Sequence, residues 1–268
     1  MALVDIIIRA KDGAGLTLEC CNSIWASMCR EDYRIIVVQS GEDVIPSTRS
    51  KNGVVCVHRR DPMGAVTATN VGLGVSFALP DSEYVLIMDN DAMVPVGDTG
   101  WLGRMIAELN QYPNTACVGA TSRNVNHPQH ILSVPQTYTG NWGDEKRGGD
   151  KDNPTAVWFV SFCVLFKKSV LCELGLWDTR YDPGNFEDTD YAMKVREAGY
   201  EIRVARSVYI HHKGHATFGD DMPELMRGNQ AKFAEKWGMG RLWDMGVVPS
   251  KDMAILAGRR AGIVREEA

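Results

Sequence analysis

The sequence predicts an α/β fold with a mainly parallel sheet covered by helices on both faces, and three observations carry this prediction. Short apolar runs alternate with segments of helical periodicity through the first hundred residues, a pattern typical of strands joined by helical crossovers. The 268 residues are 44% hydrophobic, which is enough for one large core. The run 84–88 is mostly apolar, as expected of a strand buried on both faces.

The elements of the first half are predicted from local periodicity. A helix is predicted where apolar residues recur three and four positions apart, and a strand where apolar residues stand together in a short run. In chain order, these elements are a strand at 4–8, a helix from Thr17, strands at 34–38 and 54–57, a helix at 65–79, a strand at 84–88, a helix at 101–109 and a strand at 116–120.

The second half begins with a long segment that has no periodicity. We predict that residues 122–153 form a flexible loop, and one interpretation is that part of it is a flap over a ligand. The predicted elements that follow are a strand at 158–166, a helix at 169–174, a helix at 187–198 ended by Gly199, a strand at 201–210, a helix at 229–238 and a separate C-terminal tail at 241–268.

The composition argues against several classes of protein. A net charge of −5 gives no sign of a general nucleic-acid or membrane-surface binder. Seven cysteines without regular spacing argue against a disulfide framework or a structural zinc site and favour a reducing cytoplasm. The first apolar run contains Asp5 and no basic leader, unlike a signal peptide, and the longest, 157–166, is half as long as a membrane span. The predicted location is the cytoplasm, with any membrane contact being peripheral.

Two carboxylates, Asp89 and Asp91, stand at the end of the predicted strand 84–88. The carboxyl ends of strands in open α/β sheets form the crevice where ligands bind. Side chains alternate along an extended segment, so the two carboxylates would face the same way across Asn90 and share one hard cation and a phosphorylated ligand. The alternative is a polar strand end with two solvated aspartates.

A second polar cluster, Glu187, Asp188 and Asp190, crowds the start of the predicted helix 187–198. Acidic residues in a first turn also suit the helix dipole without having any other role. Three histidines follow in the five residues 211–215. Imidazoles beside an acidic cluster can form a set of metal ligands, although isolated surface histidines are commoner.

Several of these features occur in a set order along the chain. They are a polar strand end at Gln39-Ser-Gly, a Gly64-x5-Asn70-x-Gly72 helix, the Asp89-x-Asp91 strand end, Phe186-Glu-Asp-x-Asp190 before a helix ending Glu-Ala-Gly, and histidine before Lys-Gly. This order resembles the family 2 glycosyltransferases of GT-A fold, and most closely the rhamnosyltransferase-like bacterial members. The resemblance implies one domain at 1–240, with a nucleotide-sugar half at 1–121 and an acceptor and catalytic half at 122–240.

The resemblance implies a cation site. Asp91 resembles the second aspartate of the family motif, which binds the metal, and Asp89 resembles the first, which contacts the ribose or the metal's water shell. His212 resembles the strand-end histidine that completes the metal shell. His211 competes with it, because adjacent strand residues point to opposite faces. The implied cofactor is Mn²⁺ or Mg²⁺, and an imidazole ligand favours Mn²⁺.

The resemblance also implies a catalytic pair and a donor site. Asp188 resembles the general base that takes the proton from the acceptor hydroxyl, Glu187 would hold the acceptor or the base, and Asp190 would cap the helix. One base opposite the leaving group implies inversion. The implied donor-binding residues are Ala10, Asp12, Gln39, Asn70, Asp89, Asn90 and Asp91.

The chain departs from the family pattern at the donor site. Arg9 stands where proline is usual, Gln39 where an aspartate commonly reads the base, and Pro62 where an asparagine is frequent. The implied donor is therefore a nucleotide-diphosphate sugar in which UDP is favoured but GDP and dTDP stay open.

The acceptor is a hydroxyl of a glycan, a lipid-linked sugar, a protein or a modified nucleic-acid base, and the sequence does not choose among them. The candidates for an aromatic platform under a sugar ring are Trp142, Trp158, Trp177 and Tyr181. Three other functions stay open, namely a nucleotidyltransferase, a retaining glycosyltransferase and an inactive module that binds a sugar nucleotide or a glycan.

Overall fold

The computed structural model describes residues 3–45, 54–125, 129–130, 155–214, 222–238 and 240–241. The strands are β1 (Leu3–Lys11), β2 (Tyr33–Ser40), β3 (Val55–Arg59), β4 (Ser82–Asp89), β5 (Ala92–Met93), β6 (Thr115–Thr121), β7 (Thr155–Ala156), β8 (Cys163–Lys167), β9 (Glu201–Tyr209) and β10 (His211–His212). The helices are α1 (Ala14–Ser27), α2 (Ala65–Ala78), α3 (Trp101–Gln111), α4 (Lys168–Leu174), α5 (Glu187–Glu197) and α6 (Met222–Trp237).

Eight strands form one sheet in the order β3-β2-β1-β4-β8-β6-β9-β7. β8 runs antiparallel to β4 and β6, and β7 runs antiparallel to β9, whereas the other neighbours are parallel. The predicted α/β class with a mainly parallel sheet is confirmed. β5 and β10 form a separate antiparallel pair.

Two hydrophobic cores cover the two faces of the sheet. Ile6 and Ile8 of β1 pack on one face with buried residues of α1 and α3. Ile7 packs on the other face with residues of α2, α4, α5 and α6. Because successive strand residues point to opposite faces, the continuous apolar run of β1 serves both cores. The carboxyl end of β1 is thereby held between helices beside the carboxyl end of β4.

Helix α2 lies unusually close to β1. A Cβ atom on Gly72 would come within 2.4 Å of Ile7 Cγ2, and one on Gly64, which precedes the helix, within 2.1 Å of the Asp182 carboxylate. Asp182 accepts hydrogen bonds from the backbone N–H groups of Val66 (3.1 Å) and Thr67 (3.2 Å). The absence of a side chain at Gly72 lets α2 pack closely on β1, and its absence at Gly64 lets the amino end of the helix dock against the turn that precedes α5.

Some predicted boundaries were wrong. The strand predicted at 158–166 begins only at Cys163. Phe159 and Phe162 lie before it and are buried in the core, so their apolar character does not indicate a strand. Helix α6 begins before position 229, at Met222. The loop predicted at 122–153 and the tail predicted at 241–268 lie largely outside the described residues.

No helix in the described part of the chain is long and apolar enough to cross a bilayer.

Candidate functional site

Asp89, Asp91 and His212 lie together at the carboxyl end of β4. The pairing of β5 with β10 sets His212 opposite Ala92, next to Asp91. His212 Nε2 lies 3.3 Å from Asp91 Oδ1 and 3.7 Å from Asp89 Oδ2. One ligand atom from each of the three residues lies within 4.8 Å of the others. Two carboxylate oxygens and one imidazole nitrogen form a donor set that fits Mn²⁺ or Mg²⁺.

The His212 ring is oriented from its other side. Its Nδ1 lies 2.9 Å from the Asn124 carbonyl oxygen, and its face packs on Phe162 with ring centroids 5.0 Å apart. A second hydrogen bond of this kind fixes the orientation of a metal-binding histidine, so Nε2 faces the carboxylates. His211 instead contacts the Tyr209 hydroxyl at 3.0 Å. Of the two adjacent histidines, His212 is therefore the one beside the aspartates.

Asp89 and Asp91 also change the pKa of His212. Burial opposes the charged imidazole, but hydrogen bonds and electrostatic attraction from Asp89 and Asp91 outweigh this effect and raise the pKa of His212 to about 10. A cation that takes Nε2 as a ligand must displace a proton from it, so binding of the ion would release protons.

Asp91 is held by the backbone that follows β10. The N–H of Gly214 donates to Asp91 Oδ2 at 3.0 Å, and the N–H of Lys213 donates to the Asp91 carbonyl at 3.1 Å. Gly214 has a φ of +67°, and a Cβ atom there would lie 2.5 Å from the Asn124 side chain. A glycine is therefore required for the segment to wrap around the carboxylate, which leaves Oδ1 directed at His212.

A buried arginine, Arg9, joins this cluster to a second one. Its Nη2 donates to Asp89 Oδ1, to the Ser161 carbonyl oxygen at 3.1 Å and to Ser161 Oγ at 3.2 Å. Its Nη1 donates to Thr69 Oγ1 at 3.3 Å, and the residue is only 6% exposed. Arg9 was predicted only as a departure from a family pattern, and Ser161 was not predicted as a site residue. The available signal was a charge inside an apolar strand, because a buried charge requires a partner.

The second cluster is the Glu187–Asp188 pair in the first turn of α5. Ser161 contacts both members, since its Oγ donates to Glu187 Oε1 at 3.4 Å and its N–H donates to Asp188 Oδ2 at 3.4 Å. The N–H of Thr189 donates to Asp188 Oδ1 at 2.7 Å. Glu187 Oε2 has no hydrogen-bond partner among the described residues. These contacts fix the plane of the Asp188 carboxylate beside a second carboxyl group.

Burial raises the pKa values of both carboxyl groups. The pKa of Glu187 rises to about 8 through burial and then through the charge of Asp188. Burial raises the pKa of Asp188 to about 6, although hydrogen bonds from Thr189 and Ser161 act in the opposite direction. Because both pKa values are higher in the folded protein than in the unfolded chain, the pair favours folding at low pH, and this contribution is lost as the pH rises from about 4, where such carboxyl groups titrate in the unfolded chain, to about 8.

A strained turn precedes the pair. Asn185 and Phe186 have φ values of +70° and +68°, which are uncommon for residues other than glycine. The buried amide of Asn229 in α6 donates to the carbonyl oxygens of Tyr181 (3.0 Å), Gly184 (2.8 Å) and Asn185 (2.9 Å). Helix α6 therefore holds the turn from which Glu187 and Asp188 are presented.

The predicted capping role of Asp190 was wrong, because Phe186 is the residue at the N-cap of α5. The Asp190 carboxylate is fully buried and accepts hydrogen bonds from the Tyr181 hydroxyl (3.1 Å), Lys236 Nζ (2.9 Å) and Trp237 Nε1 (2.7 Å). It joins α5 to α6.

Two amides expected at the donor site have structural partners instead. Gln39 Nε2 donates to the Ile45 carbonyl at 2.9 Å, and Gln39 Oε1 accepts from the Ile45 N–H at 3.0 Å. Asn70 makes the same pair of contacts with the Trp177 backbone, at 2.8 and 2.9 Å. Both amides thus close loops, and a direct contact of either with a donor stays a prediction.

The other residues expected at the donor site line the carboxyl ends of β1 and β4. Ala10 is buried in β1, and Asp12 Oδ1 accepts from the N–H groups of Glu42 (2.9 Å) and Asp43 (3.1 Å). Asn90 Nδ2 donates to the Thr17 hydroxyl at 3.1 Å. The side chains of Asp12 and Asn90 are thus held by partners within the protein.

Two of the expected aromatic platforms belong to the core. Trp177 is 2% exposed and stacks on Tyr191 with centroids 4.9 Å apart, and Tyr181 is fully buried. Neither presents a ring face for a sugar. Trp158 is half-buried, and Trp142 lies outside the described residues.

Comparisons of the sequence find two likenesses. A model described as glycosyl transferase family 2 matches residues 5–175. The uncharacterized protein y4gI of Sinorhizobium fredii (strain NBRC 101917 / NGR234) is 23% identical over an alignment of 245 residues that covers 83% of this chain and 26% of that protein. The chain thus spans about a quarter of the length of this curated relative.

Solved structures with the same fold include S. aureus TarS and GalNAc-T7. S. aureus TarS is 16% identical with a TM-score of 0.53, and the match covers 87% of this chain and 40% of that one. GalNAc-T7, solved with UDP, GalNAc and Mn²⁺, is 10% identical with a TM-score of 0.57, and the match covers 98% of this chain and 54% of that one. These likenesses confirm the predicted fold.

Proposed function

Since this chain belongs to glycosyl transferase family 2, we propose that it moves a sugar from a nucleotide-diphosphate sugar to an acceptor hydroxyl with the help of a divalent cation. One observation carries the proposal. The Asp89–Asp91–His212 cluster and the Glu187–Asp188 pair are joined by hydrogen bonds through Arg9 and Ser161. A candidate cation site and a candidate base thus lie close together, which supports a transfer to a hydroxyl.

Asp91 and His212 would hold the cation, with Asp89 as the third ligand or as the partner of its water shell. When bound, Mn²⁺ or Mg²⁺ offsets the charge of the diphosphate leaving group, an effect of several kcal/mol. The imidazole favours Mn²⁺, and the GalNAc-T7 structure with UDP and Mn²⁺ supports UDP as the nucleotide. Because the Gln39 amide is occupied by Ile45, that residue gives no support to any particular base.

Asp188 would remove the proton from the acceptor hydroxyl. Thr189 and Ser161 fix its carboxylate, and a pKa of about 6 leaves it largely ionised at neutral pH. Glu187, whose pKa is raised to about 8, would be largely protonated and would orient the acceptor or the base. A single base and a single displacement give inversion at the anomeric carbon.

The finer organisation of the enzyme belongs to the same proposal. Residues 1–240 would form one catalytic domain, with the donor bound mainly by 1–121 and the acceptor by 122–240. The rhamnosyltransferase-like subgroup, the cytoplasmic location, the peripheral membrane contact and the acceptor, whether glycan, lipid-linked sugar, protein or modified nucleic-acid base, stay predictions.

We expect UDP to raise the melting temperature of the protein only when Mn²⁺ or Mg²⁺ is present. Asp89, Asp91 and His212 would hold the ion that offsets the charge of the diphosphate, so chelation would remove most of the binding energy. At a UDP concentration about 100-fold above the Kd, stabilisation is about 2.7 kcal/mol, which corresponds to several degrees. Thermal-shift assays with UDP, GDP and dTDP, each with Mn²⁺ or with EDTA, provide the measurement. Equal shifts in EDTA would contradict a cation-bridged donor.

A further inference from the structure

Arg9 determines which oxygen of Asp89 faces the cation cluster. Its Nη2 donates a hydrogen bond to Asp89 Oδ1, while Asp89 Oδ2 lies 3.7 Å from His212 Nε2. A carboxylate without such a partner is free to rotate about its last side-chain bond. The guanidinium therefore selects one orientation of Asp89 and leaves the second oxygen directed at His212.

The same guanidinium nitrogen reaches the catalytic side. Arg9 Nη2 donates to the Ser161 carbonyl and hydroxyl oxygens, at 3.1 and 3.2 Å. Ser161 in turn donates from Oγ to Glu187 and from its backbone N–H to Asp188, both at 3.4 Å. A chain of hydrogen bonds thus runs from Asp89 through Arg9 and the Ser161 hydroxyl to Glu187, and the backbone N–H of the same serine reaches the candidate base, Asp188.

The positive charge of Arg9 lies among three carboxyl groups. The guanidinium interacts electrostatically with Asp89, Glu187 and Asp188, three carboxyl groups that would otherwise repel one another. Only an arginine can serve both sides at once, because its planar fork carries several donors in a rigid geometry, whereas a lysine offers one compact ammonium group. Thr69 holds the other end of the fork, at 3.3 Å.

We propose, resting on the function proposed above, that Arg9 is a positioning residue that sets Asp89 for the cation and, through Ser161, sets the Glu187–Asp188 pair relative to it. Arg9 touches neither substrate nor cation in this role. It coordinates the two halves of the site, so that the ion and the base are held at a constant separation. A purely structural ion pair would stabilise the fold without affecting cation affinity or turnover.

The test compares three variants. Arg9→Lys keeps the charge but loses the fork, Ser161→Ala removes only the hydroxyl, and Arg203→Lys is the matched control. Arg203 is also buried, at 5% exposure, but it pairs with Glu108 on α3 and Glu201 on β9, away from the site. For each variant, Mn²⁺ is titrated at saturating UDP by thermal shift, and kcat and KM are measured with the best donor.

A positioning role predicts a split between the variants. In Arg9→Lys, the Mn²⁺ concentration at half-maximal stabilisation rises by about 10–100-fold and kcat falls by a similar factor, as for other partners of metal ligands. Ser161→Ala keeps the Mn²⁺ midpoint, because Asp89 and Arg9 stay paired, but it lowers kcat by about tenfold. The control variant matches wild type in both measurements.

Two results would overturn the proposal. One is a folded Arg9→Lys protein with the Mn²⁺ midpoint and kcat of wild type. If that variant does not fold, a Ser161→Ala protein with the kcat of wild type would also overturn the proposal. A wild-type protein that shows neither Mn²⁺-dependent stabilisation by any of the three nucleoside diphosphates nor transfer would refute the proposed function itself, and the role of Arg9 with it.

Discussion

Asp188→Asn is expected to lower kcat by about 10²–10⁴-fold while leaving the affinity for UDP nearly unchanged. An amide has the shape of the carboxylate but cannot accept the proton of the attacking hydroxyl. The residue contacts Thr189 and Ser161 and is not one of the three residues of the cation cluster. Steady-state turnover with a nucleotide sugar and isothermal titration with UDP and Mn²⁺ measure the two quantities separately.

The pH dependence of this variant provides a second readout. Because the base acts when it is ionised and its pKa is raised to about 6, wild-type kcat is expected to rise with pH through about 6 and then to level off. The Asn variant should lack this rise. Glu197→Gln is the matched control, because it makes the same chemical change near the other end of α5, in an exposed pair with Arg241. Wild-type turnover in Asp188→Asn would remove Asp188 from the mechanism.

Asp91→Asn is expected to abolish the response to Mn²⁺ and to lower kcat/KM by about 10³-fold or more, since several kcal/mol of leaving-group stabilisation depend on the ion. Asp91 is 5% exposed, and its Oδ1 lies 3.3 Å from His212 Nε2. The amide keeps the size of the side chain and removes the anionic ligand. Calorimetric titration with Mn²⁺, with and without UDP, measures the loss.

The adjacent histidines supply the control for the cation site. His212→Ala should weaken Mn²⁺ binding strongly, whereas His211→Ala should leave it at the wild-type level, because His211 contacts Tyr209 and not the aspartates. Both variants remove the same side chain one position apart. Equal effects of the two substitutions, or a normal response to Mn²⁺ in Asp91→Asn, would contradict the assignment of this cluster as the cation site.

Local sequence patterns identify the strand ends and the acidic groups of the site. Asp89 and Asp91 stand at the end of a buried apolar run, and Glu187 and Asp188 begin a helix with a clear end, so both pairs could be placed from neighbouring residues. β5 and β10 could not be placed, since each has only two residues and depends on a partner far along the chain. The choice of His212 over His211 depends on that pairing.

The partners of polar side chains were the harder part to predict. Gln39, Asn70 and Asp190 are polar residues near the predicted site, but their partners, Ile45, Trp177 and the end of α6, are determined by tertiary packing. Arg9 and Ser161 are separated widely in sequence, and Ser161 lay within a predicted strand. The contact between them is visible only when β1 and the turn before β8 are brought together.

The most direct test is a crystal structure of the protein with Mn²⁺ and UDP, in which anomalous scattering locates the ion. We expect one peak within about 2.0–2.6 Å of the Asp91 carboxylate and of His212 Nε2, with the diphosphate oxygens of UDP on the same ion and the Asp188 carboxylate facing the space beyond them. An ion bound elsewhere, or UDP bound away from Asp91 and His212, would contradict a shared cation and donor site.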